Sequence, residues 1–477
     1  MVMGDMNMTT DLLVIGSGPG GGSAARRGAE LGLDVIVVDQ KPRPGGSWLH
    51  QTCIPFQCLL HLAEEIDERK LAEAAGITPS ASVINIDTFK GWKNRRIGKV
   101  SSYLKEQAHG LGILFISARA RFISSTEVRL EGAEISRIRF RYAIIATGSS
   151  QHIPNIKKCS FNGRIMDLTA ALTLNDIPKQ LLVAGNDRSA VELAQIFAVF
   201  GSRVSLATTA PCLLPGVDPD LVAPLQKKLS NLFSAIYYQT HIEDAIEDDS
   251  GVKVIFNQGR EAEQLRYDKL VISGYLRPNT HDLGLEDTAV TLDAQGFIVC
   301  DDRQKTSDER IFGVGDVTSS PMQADIAARE GRVAAEAAGG QVTSFDVRAI
   351  PGVINTIPQI SWCGLTVEEA HTKKIDYLVQ ILPWKDSIRP LIHGQIDGLT
   401  KILIDPNSGR ILGAGIVGKN SSELIGEAAL AIEMGGVAED LALTLHPHPT
   451  FSETLVKSAE LASESLNNPT AERVPGS

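Results

Sequence analysis

Residues 11–40 read DLLVIGSGPGGGSAARRGAELGLDVIVVDQ. An apolar run ends in Gly16-x-Gly18-x-x-Gly21, a helical pattern follows, and a second apolar run ends in Asp39. Strand, glycine turn, helix, strand and an acid about 20 residues on make up the dinucleotide fingerprint. The glycines let the backbone approach a pyrophosphate at the helix N-terminus, where unpaired N–H groups favour an anion. Asp39 is placed to accept hydrogen bonds from ribose hydroxyls.

A second copy starts at LLVAGNDRSAVELAQIFAVFGSRVSLATT, residues 181–209. Laid in register, Gly16 falls on Gly185, Gly18 on Asp187, Gly21 on Ala190 and Asp39 on Thr208. A side chain at 187 blocks close backbone approach, and its negative charge opposes a pyrophosphate. Thr208 offers no carboxylate to a ribose. The folding unit is thus repeated, while loss or strong weakening of NAD(P) binding is expected of the second copy.

At 477 residues the chain is long enough for several domains. It is 43% hydrophobic and 22% charged, with a formal net charge of −11. That balance argues against a nucleic-acid surface, which needs clustered Lys and Arg. No apolar run approaches the roughly eighteen residues of a membrane span. The first residues lack the basic region of a secretory signal, so a cytoplasmic location is expected. Cysteines 53, 58, 159, 212, 300 and 363 show no CxxC spacing, which argues against zinc and against a disulfide framework. No metal is expected.

YAIIATGSS (142–150) and RIFGVGDV (310–317) each read as a buried strand reaching a small-residue turn, with Asp316 placed to bind a chain of hydroxyls. GLTKILIDPNSGRILGAGIVG (398–418) predicts a β-hairpin turning at Asp405, Asn407 and Gly409, followed by a helix in SSELIGEAALAIEMGG.

Taken with GGSWLHQTCIPFQ (45–57), PQISWCGLT (358–366) and HPHPTFSE (446–453), these stretches resemble the class I pyridine nucleotide–disulfide oxidoreductases, and the ending is most similar to the dihydrolipoamide dehydrogenase branch. The resemblance implies an α/β chain with two Rossmann-like domains, one for FAD and one NAD-like, plus a C-terminal α+β dimerisation domain. The expected segments are 9–152 and 281–345 for FAD, 153–280 for the NAD-like domain, 346–465 for dimerisation, and a frayed tail at 466–477. It implies non-covalent FAD held by Gly16, Gly18, Gly21 and Asp39, with Gly46, Thr147, Gly148 and Asp316. It also implies a homodimer in which the base comes from the other subunit.

Three departures from the family pattern stand out. The family's redox loop resembles GGTCxxxGCIPSK; here Trp48 takes the place of the first cysteine, and Cys53 is retained where the flavin-contacting thiolate lies. Gln57 replaces the lysine that pairs with a glutamate, which remains as Glu192. Tyr275-Leu276 replaces a Gly-Arg on the nicotinamide side. Cys58 is a poor substitute partner for Cys53. With a helix beginning at Pro55, positions five apart point about 140° away from each other, so Cys58 reads as a packed residue.

The resemblance makes His448 the base and Glu453 the carboxylate that orients it, with His446 as packing or exposed. Trp48, Phe56 and Gln57 would shape the substrate pocket. With one thiol left, the internal disulfide cannot form. The reading is therefore an FAD-dependent oxidoreductase in which His448 deprotonates a thiol, lipoyl-like group or other small sulfur-containing substrate. Cys53 then forms a mixed disulfide that a second thiol resolves, and the electrons pass on to an unidentified acceptor. Two alternatives stand beside it: an NAD(P)H-dependent quinone reductase or diaphorase that uses no thiol, and a non-catalytic flavin-binding subunit.

Overall fold

The computed structural model describes residues 6–77, 84–153, 163–257, 262–318 and 321–466. Cys159 and residues 467–477 of the expected tail lie outside them. The chain divides into two compact units: Met1–Cys58, Ile84–Pro154 and Gly274–Asp346 form the first, and Leu59–Val83, Asn155–Ser273 and Val347–Ser477 the second.

In the first unit, strand β1 (Met6–Ile15), helix α1 (Pro19–Glu30) and strand β2 (Val35–Asp39) carry the opening fingerprint. Leu12, Leu13 and Val14 are fully buried, which is why the run is apolar without alternation. β1 lies parallel to β2 on one side and to Ile135–Ile145 on the other. Leu114–Ser117 extends the sheet beyond β2, and Ile311–Gly313 adds in parallel to Ile135–Ile145. The helix Ala324–Ala338 packs on α1 through glycine: a Cβ at Gly331 would stand 2.1 Å from the Gly20 carbonyl oxygen. A chain segment from far along the sequence thereby reaches the nucleotide turn.

Ser149–His152 pairs antiparallel with Tyr275–Pro278 in a two-stranded ribbon of the same unit. Tyr275 and Leu276, which fall in the segment expected for the NAD-like domain, thus lie in the first unit. Three further helices matter for the site: α2 (Gly46–His50), α3 (Cys53–Ala74) and α4 (Ile86–Gly110).

The second unit holds a five-stranded parallel sheet in the order Ala235–Tyr237, Arg203–Ala207, Gln180–Ala184, Lys269–Ile272, Ile165–Asp167. It also holds a three-stranded antiparallel sheet, His241–Asp248, Gly251–Asn257 and Ala262–Tyr267. Its C-terminal part is a five-stranded antiparallel sheet backed by the helices Ser421–Glu433 and Glu453–Leu466. The expected hairpin is there: Leu399–Ile404 pairs with Ile411–Gly418, and the Asp405 carboxylate accepts from the Asn407 and Ser408 amides at 2.8 Å each. Lys401 on this hairpin is buried, and its Nζ lies 2.6 Å from Asp218 and 2.7 Å from Asp220. Among the described residues no helix is long and apolar enough to cross a membrane.

Candidate active site

The first glycine turn is built for close approach. Gly16 has φ +106°, and any Cβ there would meet the Ala146 carbonyl oxygen at 2.2 Å. A Cβ on Gly21 would lie 2.0 Å from the Gly16 oxygen, whereas one on Gly18 would meet nothing within 4 Å. Gly16 and Gly21 are therefore required by the protein's own packing, and Gly18 leaves open space in front of the α1 N-terminus. Asp39 ends β2, accepting from the Ser17 amide at 2.8 Å and the Ser17 hydroxyl at 2.6 Å.

Two further turns belong to the same unit. Thr147 donates its hydroxyl to the Asn279 carbonyl at 2.7 Å, and the Asn279 amide nitrogens return bonds to Gly148 and Thr147. Asp316 accepts from the Ser149 hydroxyl at 2.6 Å. The Gly315 amide beside it donates to the buried Glu330 carboxylate at 2.6 Å. Burial pushes the Glu330 carboxyl up to about 7, against the pull of the Gly315 amide and with the help of the Asp316 charge. Sequence reading missed Asn279 and Glu330 as supports. The only signals were an Asn after Pro278 and an acid inside an alanine-rich helix.

The redox loop begins at Gly45 and Gly46, both with positive φ, and a Cβ on Gly46 would come 2.8 Å from the Gly18 Cα. The loop thus starts against the nucleotide turn. α2 is a single turn carrying the half-buried Trp48, and the amides of Gln51 and Thr52 close it by bonding to the Ser47 carbonyl at 2.8 and 2.9 Å. α3 then begins at Cys53, two residues earlier than expected from Pro55. That puts the exposed Cys53 in the first turn, where unpaired backbone amides favour a thiolate. Cys58 is a free, buried thiol, so it forms no disulfide with Cys53. Its thiol is pushed up by burial, which outweighs the nearby Lys93 and Arg96 charges. Phe56 is buried in the packing, while Gln57 is exposed.

In the second unit the matching turn is occupied by its own side chains. Asp187 caps the helix Arg188–Val199, accepting from the Ser189 amide at 2.9 Å and the Ala190 amide at 3.2 Å, and its other oxygen takes the Ser273 hydroxyl. Asn186 bonds the Cys212 carbonyl at 2.9 Å and the Leu214 amide at 3.1 Å. The amides that would meet a pyrophosphate are thus satisfied by a carboxylate. Thr208 is buried, with its hydroxyl accepting from the Ala210 amide at 3.0 Å.

Glu192, one turn along that helix, is buried and accepts from the Asn355 amide at 2.6 Å. Burial pushes its carboxyl up to about 7, opposed first by the Asn355 amide and then by Arg188.

The His–Glu pair forms as expected. His448 Nδ1 donates to Glu453 at 2.7 Å, and the second Glu453 oxygen accepts from the Thr450 amide at 2.7 Å. Burial raises the Glu453 carboxyl, but the His448 bond, the Thr450 amide and the neighbouring His446 together hold it below the usual carboxylate range. The His448 side chain is 62% exposed, and Nδ1 is the ring nitrogen that Glu453 holds. His446 is more than packing: its ring bonds Glu427 at 2.6 Å and the Thr444 carbonyl at 2.9 Å.

Two dinucleotide-type folds, a glycine-led loop ending in a cysteine at a helix start, and a histidine–carboxylate pair in a C-terminal α+β domain are together the layout of the flavin-dependent disulfide oxidoreductases. Comparison with known proteins agrees. Residues 10–331 match the pyridine nucleotide-disulphide oxidoreductase family and residues 350–459 its dimerisation domain. The chain is 37% identical to a dihydrolipoyl dehydrogenase of Thermus scotoductus, covering 95% of this chain and 97% of the relative. It is 34% identical to that of Geobacillus stearothermophilus, covering 97% and 98%. Among solved structures, the HOCl-induced flavoprotein disulfide reductase RclA from Escherichia coli matches with a TM-score of 0.84 at 25% identity, covering 94% of this chain and 99% of that one. The chain belongs to the pyridine nucleotide-disulphide oxidoreductase family.

Members of this family bind FAD, and the first unit fits it. The open space at Gly18, the Asp39 carboxylate at the end of β2 and the Asp316 turn are the features that an adenine dinucleotide with a ribityl chain requires. The matched dimerisation domain supports a homodimer.

Proposed function

We propose that this protein oxidises a small thiol or dithiol, such as a lipoyl-like group, without depending on NAD(P)H, and that it works in the cytoplasm. The observation that carries the reading is Asp187, whose carboxylate holds the helix N-terminus on which a nicotinamide dinucleotide would rest its pyrophosphate. The electron donor is then the sulfur substrate itself.

Bound FAD supplies a two-electron acceptor. With Nδ1 committed to Glu453, His448 takes the proton of a substrate thiol at Nε2, and Glu453 stabilises the imidazolium that results. With that acceptor bound, Cys53 Sγ would join the substrate sulfur in a mixed disulfide, each sulfur giving up its proton. The substrate's second thiol then attacks that bond, releasing the substrate as a disulfide and Cys53 as a thiol. In sum one dithiol loses two electrons and two protons, and no second protein cysteine is used. Trp48 fills the position from which the family's first cysteine attacks, and presents a flat apolar face to the substrate.

The test is turnover with dihydrolipoamide and a dye acceptor. Cys53→Ser is expected to abolish dithiol-driven turnover while FAD remains bound. Full turnover by that variant would eliminate the reading.

A further inference from the structure

Helix α4 sets one face inward and a different chemistry outward. Lys93, Ile97 and Ser101, four residues apart, are buried, and the Ser101 hydroxyl bonds the carbonyl of Pro44, the residue preceding the redox loop's glycines, at 3.4 Å. The opposite face carries Arg95, Arg96 and Lys99, all exposed, with Tyr103 59% exposed and Trp92 half-buried beside them. The Arg96 guanidinium lies 4.2 Å from the centre of the Trp92 ring, which in turn stacks on Phe89 at 5.9 Å. No acidic residue occurs between Asp87 and Glu106, in a chain whose net charge is −11.

We infer that the outer face of α4 is the docking surface for a small acidic protein that carries off electrons one at a time. The inference rests on the proposed function, which loads the flavin with an electron pair and leaves it no nicotinamide outlet. Three observations choose this occupant. Arginine with tryptophan and tyrosine is the composition of energetically dominant interface positions, and here Trp92 holds one guanidinium in place. Glu106, with Glu30 of α1, borders the stripe at Tyr103, but Arg95, Arg96 and Lys99 still attract an acidic partner that a chain of net charge −11 otherwise repels, so the field orients the encounter. The inward face of the same helix meets the start of the redox loop through the Ser101–Pro44 bond. Two acceptor molecules each take one electron, and the two flavin protons go to solvent.

The test uses the FAD-loaded protein reduced with one equivalent of dithionite, so that docking is read independently of dithiol chemistry. The probe is the soluble haem domain of cytochrome b5, an acidic one-electron acceptor, followed by haem absorbance in a stopped-flow instrument. Cytochrome c serves as the basic counterpart and menadione as an uncharged acceptor. The expected result is saturable reduction of cytochrome b5. It should slow about tenfold in the triple variant Arg95→Glu, Arg96→Glu, Lys99→Glu and about tenfold at high salt, with menadione reduction unchanged. The triple variant should reduce cytochrome c faster than the unaltered protein does. Equal cytochrome b5 rates in the two proteins would overturn the inference, as would an unaltered protein that prefers cytochrome c. Bleaching of the same protein by dihydrolipoamide, measured separately, reports on the proposed function alone.

Discussion

Asp187 and Gly18 occupy the same place in two copies of one fold, and they leave the two helix N-termini in different states. Gly18 leaves the α1 N-terminus open, whereas Asp187 spends the equivalent amides on its own carboxylate and adds a negative charge there. Replacing Asp187 by Gly should cost the protein only a few tenths of a kcal/mol, because glycine is a tolerated cap. It should also produce measurable NADH binding where the unaltered protein shows little, and isothermal titration of both proteins checks this. At the other half of the chemistry, Glu453→Gln keeps a hydrogen bond to His448 but removes the charge that stabilises its protonated form. Dithiol-driven kcat is expected to fall by about 10²–10⁴ with a smaller change in KM, the range for loss of general-base function. An unchanged kcat would remove the His448–Glu453 pair from the mechanism.

These residues also show where sequence reading reaches its limit. Asp187, Thr208 and the His448–Glu453 spacing were legible because a register or a motif assigns each a place. Glu330 and Asn279 were not, because each acts through one backbone amide or carbonyl brought to it by the tertiary fold. Likewise His446 reads as bland in sequence, since its partner Glu427 lies on a separate helix.

At the scale of elements, the turn Gly315–Val317 and the helix Ala324–Ala338 are joined by the buried Glu330. Its carboxyl sits at about 7 in the fold against 4.5 as the ordinary value, so the folded state binds the proton more tightly than the unfolded chain. The stability this group contributes is therefore full below about pH 4.5 and is lost as pH rises through about 7. Glu330→Gln should flatten the decline in unfolding free energy over that window. Denaturant titrations at a series of pH values check it, and an unchanged slope would contradict the assignment. The glycine turns and the hairpin at Asp405 were readable from turn chemistry alone. The start of α3 was not: Pro55 suggested a helix beginning there, but proline is tolerated throughout the first turn, and the structure begins at Cys53. The difference matters, because it moves Cys53 from a loop to a helix N-terminus.

For the molecule as a whole, the two-fold repeat and the separate C-terminal sheet were legible from periodicity and motif order, while the assignment of Tyr275–Pro278 was not. That strand pairs with Ser149–His152, a non-local contact that no local pattern announces. The second unit is also held by a buried charge cluster, Lys401 with Asp218 and Asp220, linking its hairpin to the helix Pro219–Leu232. Lys401→Ala leaves the buried Asp218 carboxylate without its cation and should destabilise by about 3–5 kcal/mol, measured by denaturant unfolding. On the dimerisation domain, Leu430, Met434, Leu443 and Leu445 are 61–98% exposed in the single chain. Large apolar side chains left this exposed on a matched dimerisation domain point to an association site. Met434→Asp with Leu443→Asp should shift the protein toward monomer in light scattering, and an unchanged dimer would place the interface elsewhere.

The central claim is that electrons enter from sulfur and not from nicotinamide. It is tested most directly by anaerobic titration of the FAD-loaded protein with NADH, NADPH and dihydrolipoamide in turn, following flavin absorbance near about 450 nm. The account predicts bleaching by the dithiol and none by either nicotinamide. Rapid bleaching by NADH would contradict it, because the Asp187-capped turn would then still admit the dinucleotide that its geometry opposes.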